Sequence, residues 1–568
     1  MYRPLLALGA LGLLGTVLFL HSDRPATLVG EIRYAGPESG PVVIQAYALQ
    51  ASAGGSVSRL TKGDVLGGAE PTLVESLPHP GEYRLADLEA GHYSLVAFMD
   101  LDADGELDFD PAEPMGWFAG EAGAWIDRIE LGGGSTRRAD IVLRKPRHFP
   151  RQERYVEHGA LRWMQGLPVL QLYGTAEERG FAHGRLIGEQ IIDFFEFYVL
   201  EDGWRSARRY EEEFAPFLES HFAYAPEYLE EVEAVVRGME ASGIDMTVQW
   251  LGRDFRRVDL LAINAYIERR ATQPSAPAGN GCSQFAFWGP ATEGSDVDGG
   301  LIAGRNMDGE VDLRKVTVSH FLIFAVDPSE AGARRWISTM WPGFVGTLSG
   351  INEEGLYSME NAGGTGPGPV VDKLTPCTWV QRHILENAGK ESTPESVGRM
   401  IDTFRSTGGG AFGAGSIILW AVPFLGQAAP AFVSEGDRFG MAIREPSTVA
   451  PSCSYDVMAT NHYLLYGVDP ERPGLSFGGE PSFSSRWRYE TGMNTLEAWA
   501  RQGAARGTDE MRRLLQSVAH GTTEYAVVFR ANDMSVDVAV DDLAADLWDA
   551  PYQRWVTYQF DDFFTRRR

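Results

Sequence analysis

The order in which apolar patterns change along the chain is the strongest constraint on its fold. Residues 27–145 contain short β-rich runs separated by glycine and proline turns, among them PVVIQAYAL and GHYSLVAFMD. This pattern predicts an all-β sandwich. From 155 to about 270, apolar residues recur every three or four positions, which predicts helices. After residue 282, strand-like, helical and again strand-like segments follow, and this order predicts a layered α+β fold.

The first 25 residues carry an apolar run from Leu5 to Leu20 that directly follows a basic N terminus containing Arg3. Such a run so near the N terminus predicts export across a membrane. It is either a signal peptide or a retained anchor. We therefore expect a periplasmic, secreted or N-terminally membrane-anchored protein, with membrane association through this segment if it is retained.

The net charge of −28 argues against a nucleic-acid partner. Binding a phosphate backbone requires clustered lysine and arginine side chains, and the sequence contains no basic stripe. We expect a small-molecule substrate instead.

An acidic loop, DLDADGELDFD at 100–110, resembles a calcium-binding loop. Oxygen ligands at positions one, three and five, with a turn-forming glycine at six, are what such a loop needs, and Gly105 is that glycine. The twelfth position is Pro111 rather than a glutamate, so this is not an EF-hand. The alternative is an acidic turn without an ion. The candidate ligands are Asp100, Asp102, Asp104 and Asp108, and Asp110 is an alternative to the last of them.

Cys282 is one of only three cysteines and follows the flexible linker 271–281. Three cysteines are an odd number, so any disulfide pairing leaves one over, and they lack metal-ligand spacing. If the bond between Gly281 and Cys282 were cut, the new N-terminal residue would carry an α-amine with a pKa of about 7.7–8.0 beside its thiol. Nucleophile and general base would then belong to one residue.

The segment GRNMD places Arg305 and Asp308 three residues apart, shortly after the cysteine. A guanidinium near a thiol favours the thiolate. A carboxylate near the released amine would hold and orient it. No cofactor is needed for this chemistry.

The segments GCSQFAFWG and LIAGRNMD resemble the start of the mature chain of the N-terminal-nucleophile (Ntn) hydrolases. The nearest branches are the penicillin acyltransferase-like and the choloylglycine (bile-salt) hydrolase families. Further segments resemble motifs of the same group, and the similarity covers about residues 155–568. They are GTAEERGFAHG, INEEGLYSMENAGG, MATNHY and FSSRWRYE.

This resemblance implies an αββα sandwich over 282–568, preceded by a helical propeptide-like segment over 155–281 and by the N-terminal β module. It also implies self-cleavage between Gly281 and Cys282. Besides Arg305 and Asp308, it implies three further site residues. Asn361 would donate to the oxyanion, Asn461 would position the α-amine, and Arg486 would stabilise the thiolate.

The predicted function is that of a self-processing cysteine amidohydrolase or acyltransferase that cleaves N-acyl compounds through a Cys282 thioester. Two alternatives stay open. One is a lipid or ester hydrolase on the same scaffold, similar to phospholipase B-like relatives. The other is a non-catalytic cell-surface binding protein in which the β module is adhesive.

Overall fold

The structure is a computed structural model that describes residues 24–565 with internal gaps. The gaps are 52–55, 62–63, 66–67, 109–111, 121–122, 269–280, 310–313, 315, 365–372, 405–410, 413–414, 423–429, 447–454, 470, 472–480 and 543–548. Nearly all of the predicted leader and the candidate ligand Asp110 therefore lie outside the described residues. Within the described residues, we find no helix that is long and apolar enough to span a membrane.

Residues 26–142 form two β-sheets around a shared core. In one sheet the strand order is β4-β1-β8, with β9 also paired to β1; in the other it is β3-β2-β5-β6, with β7 also paired to β5. Leu28 of the first sheet packs in the same apolar cluster as Ile44 and Leu95 of the second. The strands are β1 (Ala26–Arg33), β2 (Val42–Leu49), β3 (Leu73–Leu77), β4 (Glu82–Leu88), β5 (Gly91–Met99), β6 (Met115–Trp117), β7 (Ile129–Leu131), β8 (Thr136–Arg138) and β9 (Ile141–Val142).

The segment that follows differs from the expectation of helices from residue 155. It begins with three strands, β10 (Arg154–Val156), β11 (Gly159–Met164) and β12 (Leu167–Gly174). The last of these pairs in parallel with β17 (Leu322–Pro328), which follows Cys282 in the chain. A strand buried on both faces forms a continuous apolar run, which periodicity does not distinguish from a helix. Residues 154–174 are thus part of the same sheet as the segments after Cys282.

Helices occupy most of the chain from 176 to 264. They are α1 (Ala176–Phe194), α2 (Ala207–Arg209), α3 (Ala215–His221), α4 (Pro226–Ser242) and α5 (Arg257–Asn264), with π-helical turns at Phe195–Trp204 and Tyr210–Phe214 and a short hairpin of β13 (Thr247–Val248) and β14 (Arg253–Asp254).

Helix α1 starts at a capping box and packs closely on α4. Thr175 accepts a hydrogen bond from the N–H of Glu178, whose carboxylate accepts one from the N–H of Thr175. About two turns into the helix, a Cβ atom on Gly184 would lie 2.0 Å from the carbonyl oxygen of Val235. The glycines of the GFAHG segment therefore allow the two helix backbones to approach closely.

The chain after Cys282 contains the remaining strands and helices. The strands before the last two helices are β15 (Ser283–Phe287), β16 (Ile302–Asp308), β17, β18 (Trp336–Met340), β19 (Ser349–Asn352), β20 (Tyr357–Gly363), β21 (Leu374–Thr375), β22 (Ala411–Phe412), β23 (Gly415–Ala421), β24 (Ala431–Asp437), β25 (Gly440–Arg444) and β26 (Asp456–Ala459). The final strands are β27 (Thr523–Arg530), β28 (Ser535–Val540) and β29 (Val556–Gln559). The helices are α6 (Val316–Ser319), α7 (Cys377–Asn387), α8 (Pro394–Phe404), α9 (Phe483–Gln502) and α10 (Thr508–Ser517).

Two large sheets form the centre of this unit. One has ten strands in the order β10-β11-β12-β17-β18-β19-β20-β23-β24-β25, and the other has six in the order β26-β15-β16-β27-β28-β29. Ala286 of the second sheet lies in the same core as Met359 and Ile417 of the first. On the other face of β15, Phe285 and Phe287 pack with residues of α9 and α10. Because α1 contacts β11 and β12, the layers run helix, sheet, sheet, helix, and the predicted α+β class is confirmed.

The close approach of α1 and α4 predicts the effect of adding one methyl group. Gly184→Ala should lower the melting temperature, because the new Cβ meets backbone that cannot move aside; overpacking of this kind costs about 1–3 kcal/mol. Gly398→Ala on α8 is the matched control. Its Cβ would lie 3.7 Å from Ile443, an ordinary contact. Calorimetry should show a loss only for Gly184→Ala, and equal melting temperatures would contradict this packing.

Candidate active site

The pairing of β15 with β16 places Cys282 beside the end of β16. The two strands are antiparallel, and Ser283 pairs with Asn306, so Cys282 lies next to Met307. On a regular strand, side chains three residues apart point to opposite faces. The register of β16 against β27 shifts between Met307 and Asp308, and such a bulge re-aims the side chain that follows it. This irregularity lets Arg305 and Asp308 serve the same site.

The thiol of Cys282 is buried among groups from β16. Its Sγ lies 3.3 Å from Nη2 of Arg305, 3.4 Å from Sδ of Met307 and 3.8 Å from the carbonyl oxygen of Asp308. Burial raises the pKa of Cys282, and the nearby positive charge of Arg305 only partly offsets this. In the uncut chain, therefore, the thiol is held in its neutral form.

The guanidinium of Arg305 is fully buried and has a fixed orientation. It donates to the carbonyl oxygen of Leu348 and to Oγ of Ser349, both at 2.5 Å, and also to the carbonyl oxygen of Glu360. Burial alone would lower its pKa, but Cys282 and its other neighbours raise it above the ordinary value. Arg305 is thus a permanent positive charge at the thiol.

Asn361 lies on β20 of the facing sheet and contacts the main chain around the cysteine. Its Nδ2 donates to the carbonyl oxygens of Cys282 at 3.0 Å, Thr460 at 3.1 Å and Ala459 at 3.2 Å. Its Oδ1 accepts from Nε2 of Gln284 at 2.6 Å. Gln284, which sequence reasoning missed, therefore orients this amide; its signal was a buried polar residue within an apolar strand.

Asn461 follows β26 and lies against the predicted cleavage junction. A Cβ atom on Gly281 would fall 2.1 Å from Cγ of Asn461, so only glycine fits before Cys282 here. The main-chain N–H of Asn461 donates to Oγ of Ser485 at 2.8 Å, and its Nδ2 donates to the carbonyl oxygen of Ala362 at 2.9 Å. The junction is buried within the site.

The arginine of α9 that reaches the site is Arg488, whereas the sequence predicted Arg486. Arg486 is exposed on the helix surface. Arg488 donates to the carbonyl oxygen of Cys282 at 2.7 Å and to Oδ1 of Asn461 at 2.9 Å. The reason is helical periodicity, because the buried face of α9 runs through Ser485, Arg488, Gly492 and Leu496. A search of the sequence for the buried face of this helix would have selected Arg488.

Asp308 is paired with a histidine that sequence reasoning missed. Its Oδ2 lies 3.0 Å from Nε2 of His520, and its Oδ1 accepts a hydrogen bond from Oγ1 of Thr523 at 2.5 Å. The same Nε2 lies 3.5 Å from the carbonyl oxygen of Gly281. Burial lowers the pKa of His520, but the hydrogen bond to Asp308 and its charge outweigh this and raise it above the ordinary value. No local motif marked this histidine, which lies in the loop after α10.

Two further residues, His183 of the GTAEERGFAHG segment and the cysteine Cys377, lie outside this cluster. His183 is buried and accepts a hydrogen bond from the N–H of Gly343 at 3.3 Å, and burial lowers its pKa to about 4. It is a neutral packing residue, in keeping with a structural role. Cys377 is a buried free cysteine at the start of α7.

The acidic loop of the N-terminal module brings three carboxylates together. Ligand oxygens of Asp100, Asp102 and Glu113 all lie within 4.8 Å of one another. Asp104 and Asp108 do not belong to this group; the main-chain N–H of Asp108 donates to Glu113 at 3.1 Å. Glu113, the third carboxylate of the group, comes two residues after the twelfth loop position.

Comparisons with known proteins give weak structural likenesses. No family model matches the chain, and no curated protein matches it. An N-acylethanolamine-hydrolyzing acid amidase ortholog from Caenorhabditis elegans is 17% identical, with 44% of this chain and 93% of that chain covered and a TM-score of 0.30. A mutant of the conjugated bile acid hydrolase from Clostridium perfringens is 11% identical, with 49% and 96% covered and a TM-score of 0.31.

Penicillin V acylase from Agrobacterium tumefaciens is 13% identical, with 46% of this chain and 83% of that chain covered and a TM-score of 0.23. Because the identities and TM-scores are low, the function proposed below rests on the geometry of the site.

Arg486 and Arg488 of α9 form a matched pair for testing this geometry. Arg488→Ala should destabilise the protein by at least about 2 kcal/mol, because it removes charged hydrogen bonds and leaves a cavity. Arg486→Ala should change stability by less than about 0.5 kcal/mol, because an exposed side chain is removed. Urea unfolding of both variants measures the difference. A larger loss for Arg486→Ala would show that the helix is rotated relative to this structure.

Proposed function

We propose that this protein is a cysteine amidohydrolase that activates itself by cutting the Gly281–Cys282 bond. The observation that carries the proposal is the position of that bond. Its two residues are buried between Asn461 and His520, and the thiol that would attack it has Arg305 3.3 Å away. A thiol, a cation and hydrogen-bond donors gathered at one peptide bond are the groups that cleavage of that bond requires.

The cut would convert an inactive thiol into an active one. Before the cut, the nitrogen of Cys282 is an amide and cannot accept a proton, and burial raises the pKa of the thiol. After the cut, the nitrogen is an amine with a reference pKa of about 7.7–8.0, able to take the thiol proton. Arg305 then favours the thiolate that results.

Turnover would proceed through an acyl-enzyme. The thiolate attacks the carbonyl carbon of an N-acyl substrate, the amine product leaves with a proton from the α-amine, and water or a second amine releases the acyl group from Cys282. Asn361 is the candidate oxyanion donor, because a charged oxygen would compete well for hydrogens now shared among three neutral carbonyls. Such a donor contributes roughly 3–4 kcal/mol.

Two aromatic residues that follow the cysteine belong to the core between β15 and the helices. Phe285 and Phe287 are fully buried and pack with residues of α9 and α10, on the face of β15 that turns away from the ten-stranded sheet. Their alternation along the strand is a core pattern.

Self-cleavage can be tested by replacing each of two buried cysteines with alanine. The wild-type chain should separate into fragments 1–281 and 282–568, less any leader that is removed. Cys282→Ala should stay in one piece, because no thiol attacks, whereas the control Cys377→Ala should be cut as the wild type is. Denaturing electrophoresis of freshly purified protein measures this. Cutting of Cys282→Ala at the same bond would contradict the proposal.

A substrate panel separates the alternatives. Matched N-acyl amides and acyl esters of the same acyl chain should show cleavage of the amides, abolished in Cys282→Ala. Hydrolysis of esters alone would favour the lipid or ester hydrolase. An uncut wild-type chain without acyl release would favour the non-catalytic binding protein.

We also propose that the acidic loop can hold a calcium ion through Asp100, Asp102 and Glu113. The supporting observation is that their oxygens lie close enough together to share one cation, and carboxylate oxygens are the ligands that calcium prefers. The ion would fix the loop of the N-terminal module and takes no part in the reaction at Cys282.

Calcium should therefore raise the melting temperature of the wild-type protein, because a ligand that binds only the folded state stabilises it. Glu113→Gln should reduce this increase, because it removes one carboxylate charge from the group. Glu130→Gln, at an exposed position of β7, is the control and should respond as the wild type does. Thermal unfolding with calcium or with EDTA measures both, and an unchanged melting temperature in millimolar calcium would rule the site out.

A further inference from the structure

His520 lies at the cleavage junction, and the amide chemistry described above gives it no step. We propose that His520 is a catalytic residue of the self-cleavage step, where its charged imidazolium stabilises the Gly281 carbonyl oxygen as Cys282 attacks the carbonyl carbon. This inference rests on the proposed function and adds to it a residue dedicated to activation.

Contacts at both ring nitrogens hold His520 beside Asp308 and this carbonyl. Its Nε2 lies 3.5 Å from the oxygen of Gly281 and 3.0 Å from Oδ2 of Asp308. Its Nδ1 lies 3.2 Å from Oγ1 of Thr522. The edge-on ring of Trp487 covers it at a centroid distance of 6.4 Å, and the side chain is only 11% exposed.

The charges around His520 favour the imidazolium. Asp308 of β16 faces it directly and is itself held by Thr523. Arg488 of α9 is the positive group that opposes its charge, and the net effect on the pKa of His520 is an increase. The protonated ring therefore persists to higher pH than that of an unperturbed histidine.

The two buried arginines are committed to other atoms. Arg488 donates to the carbonyl oxygen of Cys282, on the far side of the bond to be cut. Arg305 donates to carbonyl and hydroxyl oxygens of β19 and β20 and to the thiol itself. The Nε2–H of His520, which lies 3.0 Å from Asp308 and 3.5 Å from the Gly281 oxygen, is the positive donor that a developing negative charge on that oxygen can draw towards itself.

The step balances without a further reactant other than water. The bond from Sγ of Cys282 to the carbonyl carbon of Gly281 forms while the carbonyl electron pair moves onto oxygen beside His520. The C–N bond then breaks, and the proton lost by the thiol ends on the Cys282 nitrogen, which becomes the α-amine. Water hydrolyses the resulting thioester, which releases the Gly281 carboxylate and restores the thiol. His520 is protonated at the start and at the end.

His520 would act in the cut of the chain and not in the later hydrolysis of substrate. Once Gly281 has left as a carboxylate, the oxygen that His520 served is no longer part of a reacting bond. Loss of His520 should therefore slow the cut far more than it slows hydrolysis by chains that have already been cut.

The test follows full-length chains made by cell-free synthesis and scores the cut fraction by intact mass over time. His520→Gln should slow the cut by about 10²–10³-fold, the range for losing one oxyanion donor. His221→Gln, at a half-buried position of α3, is the control and should be cut at the wild-type rate. After long incubation, the rate of N-acyl amide hydrolysis per cut chain in His520→Gln should fall by a smaller factor than the rate of the cut, because in cut chains His520 acts only through its contact with Asp308.

His520→Arg and the pH profile distinguish charge from packing. His520→Arg should be cut faster than His520→Gln, because it restores a cation. The wild-type rate should fall as pH rises through the raised pKa of His520, and the rate of His520→Arg should not fall there. If His520→Gln is cut as fast as the wild type, this inference alone is overturned. It is also overturned if His520→Gln and His520→Arg are cut equally slowly while both keep native melting temperatures. A wild-type chain that is never cut overturns the proposed function itself.

Discussion

The antiparallel pairing of β15 with β16 is the constraint on which the rest of the site depends. It places Cys282, which precedes the first strand, against the last residues of the second, and the register shift after Met307 brings Asp308 to the same place as Arg305. Both strands lie in the middle of the six-stranded sheet, so their positions are fixed by neighbours on each side. Cys282 therefore lies at the end of a hydrogen-bonded strand that fixes its position relative to β16.

The site keeps its charges in place by burying them with dedicated partners. Arg305 is held by main-chain carbonyls of the facing sheet, Arg488 by the main chain of Cys282, and Asp308 by Thr523 and His520. Such groups cannot relax toward water, so the field at the thiol is built before any substrate arrives. In the uncut chain this burial works against the thiolate, and the proposed cut reverses that by adding a base.

Much of the site could be predicted because strand motifs keep their residues in a short stretch of sequence. Arg305 and Asp308 follow Cys282 closely, and Asn361 and Asn461 lie at or next to strands whose motifs are distinctive. The arginine of α9 was misassigned by two residues, since a motif does not say which face of a helix turns inward. His520 lies in a loop brought to the junction only by tertiary structure. The strands β11 and β12 were missed because largely buried strands lack alternation.

The central claim is that the site's first substrate is its own Gly281–Cys282 bond. The most direct measurement is the N-terminal sequence and mass of the downstream fragment from wild-type protein purified with protease inhibitors. The account predicts a fragment that starts at Cys282 with a free α-amine, together with an upstream fragment that ends at Gly281. A chain that stays intact while releasing acyl groups, or a fragment that starts at another residue, would contradict it.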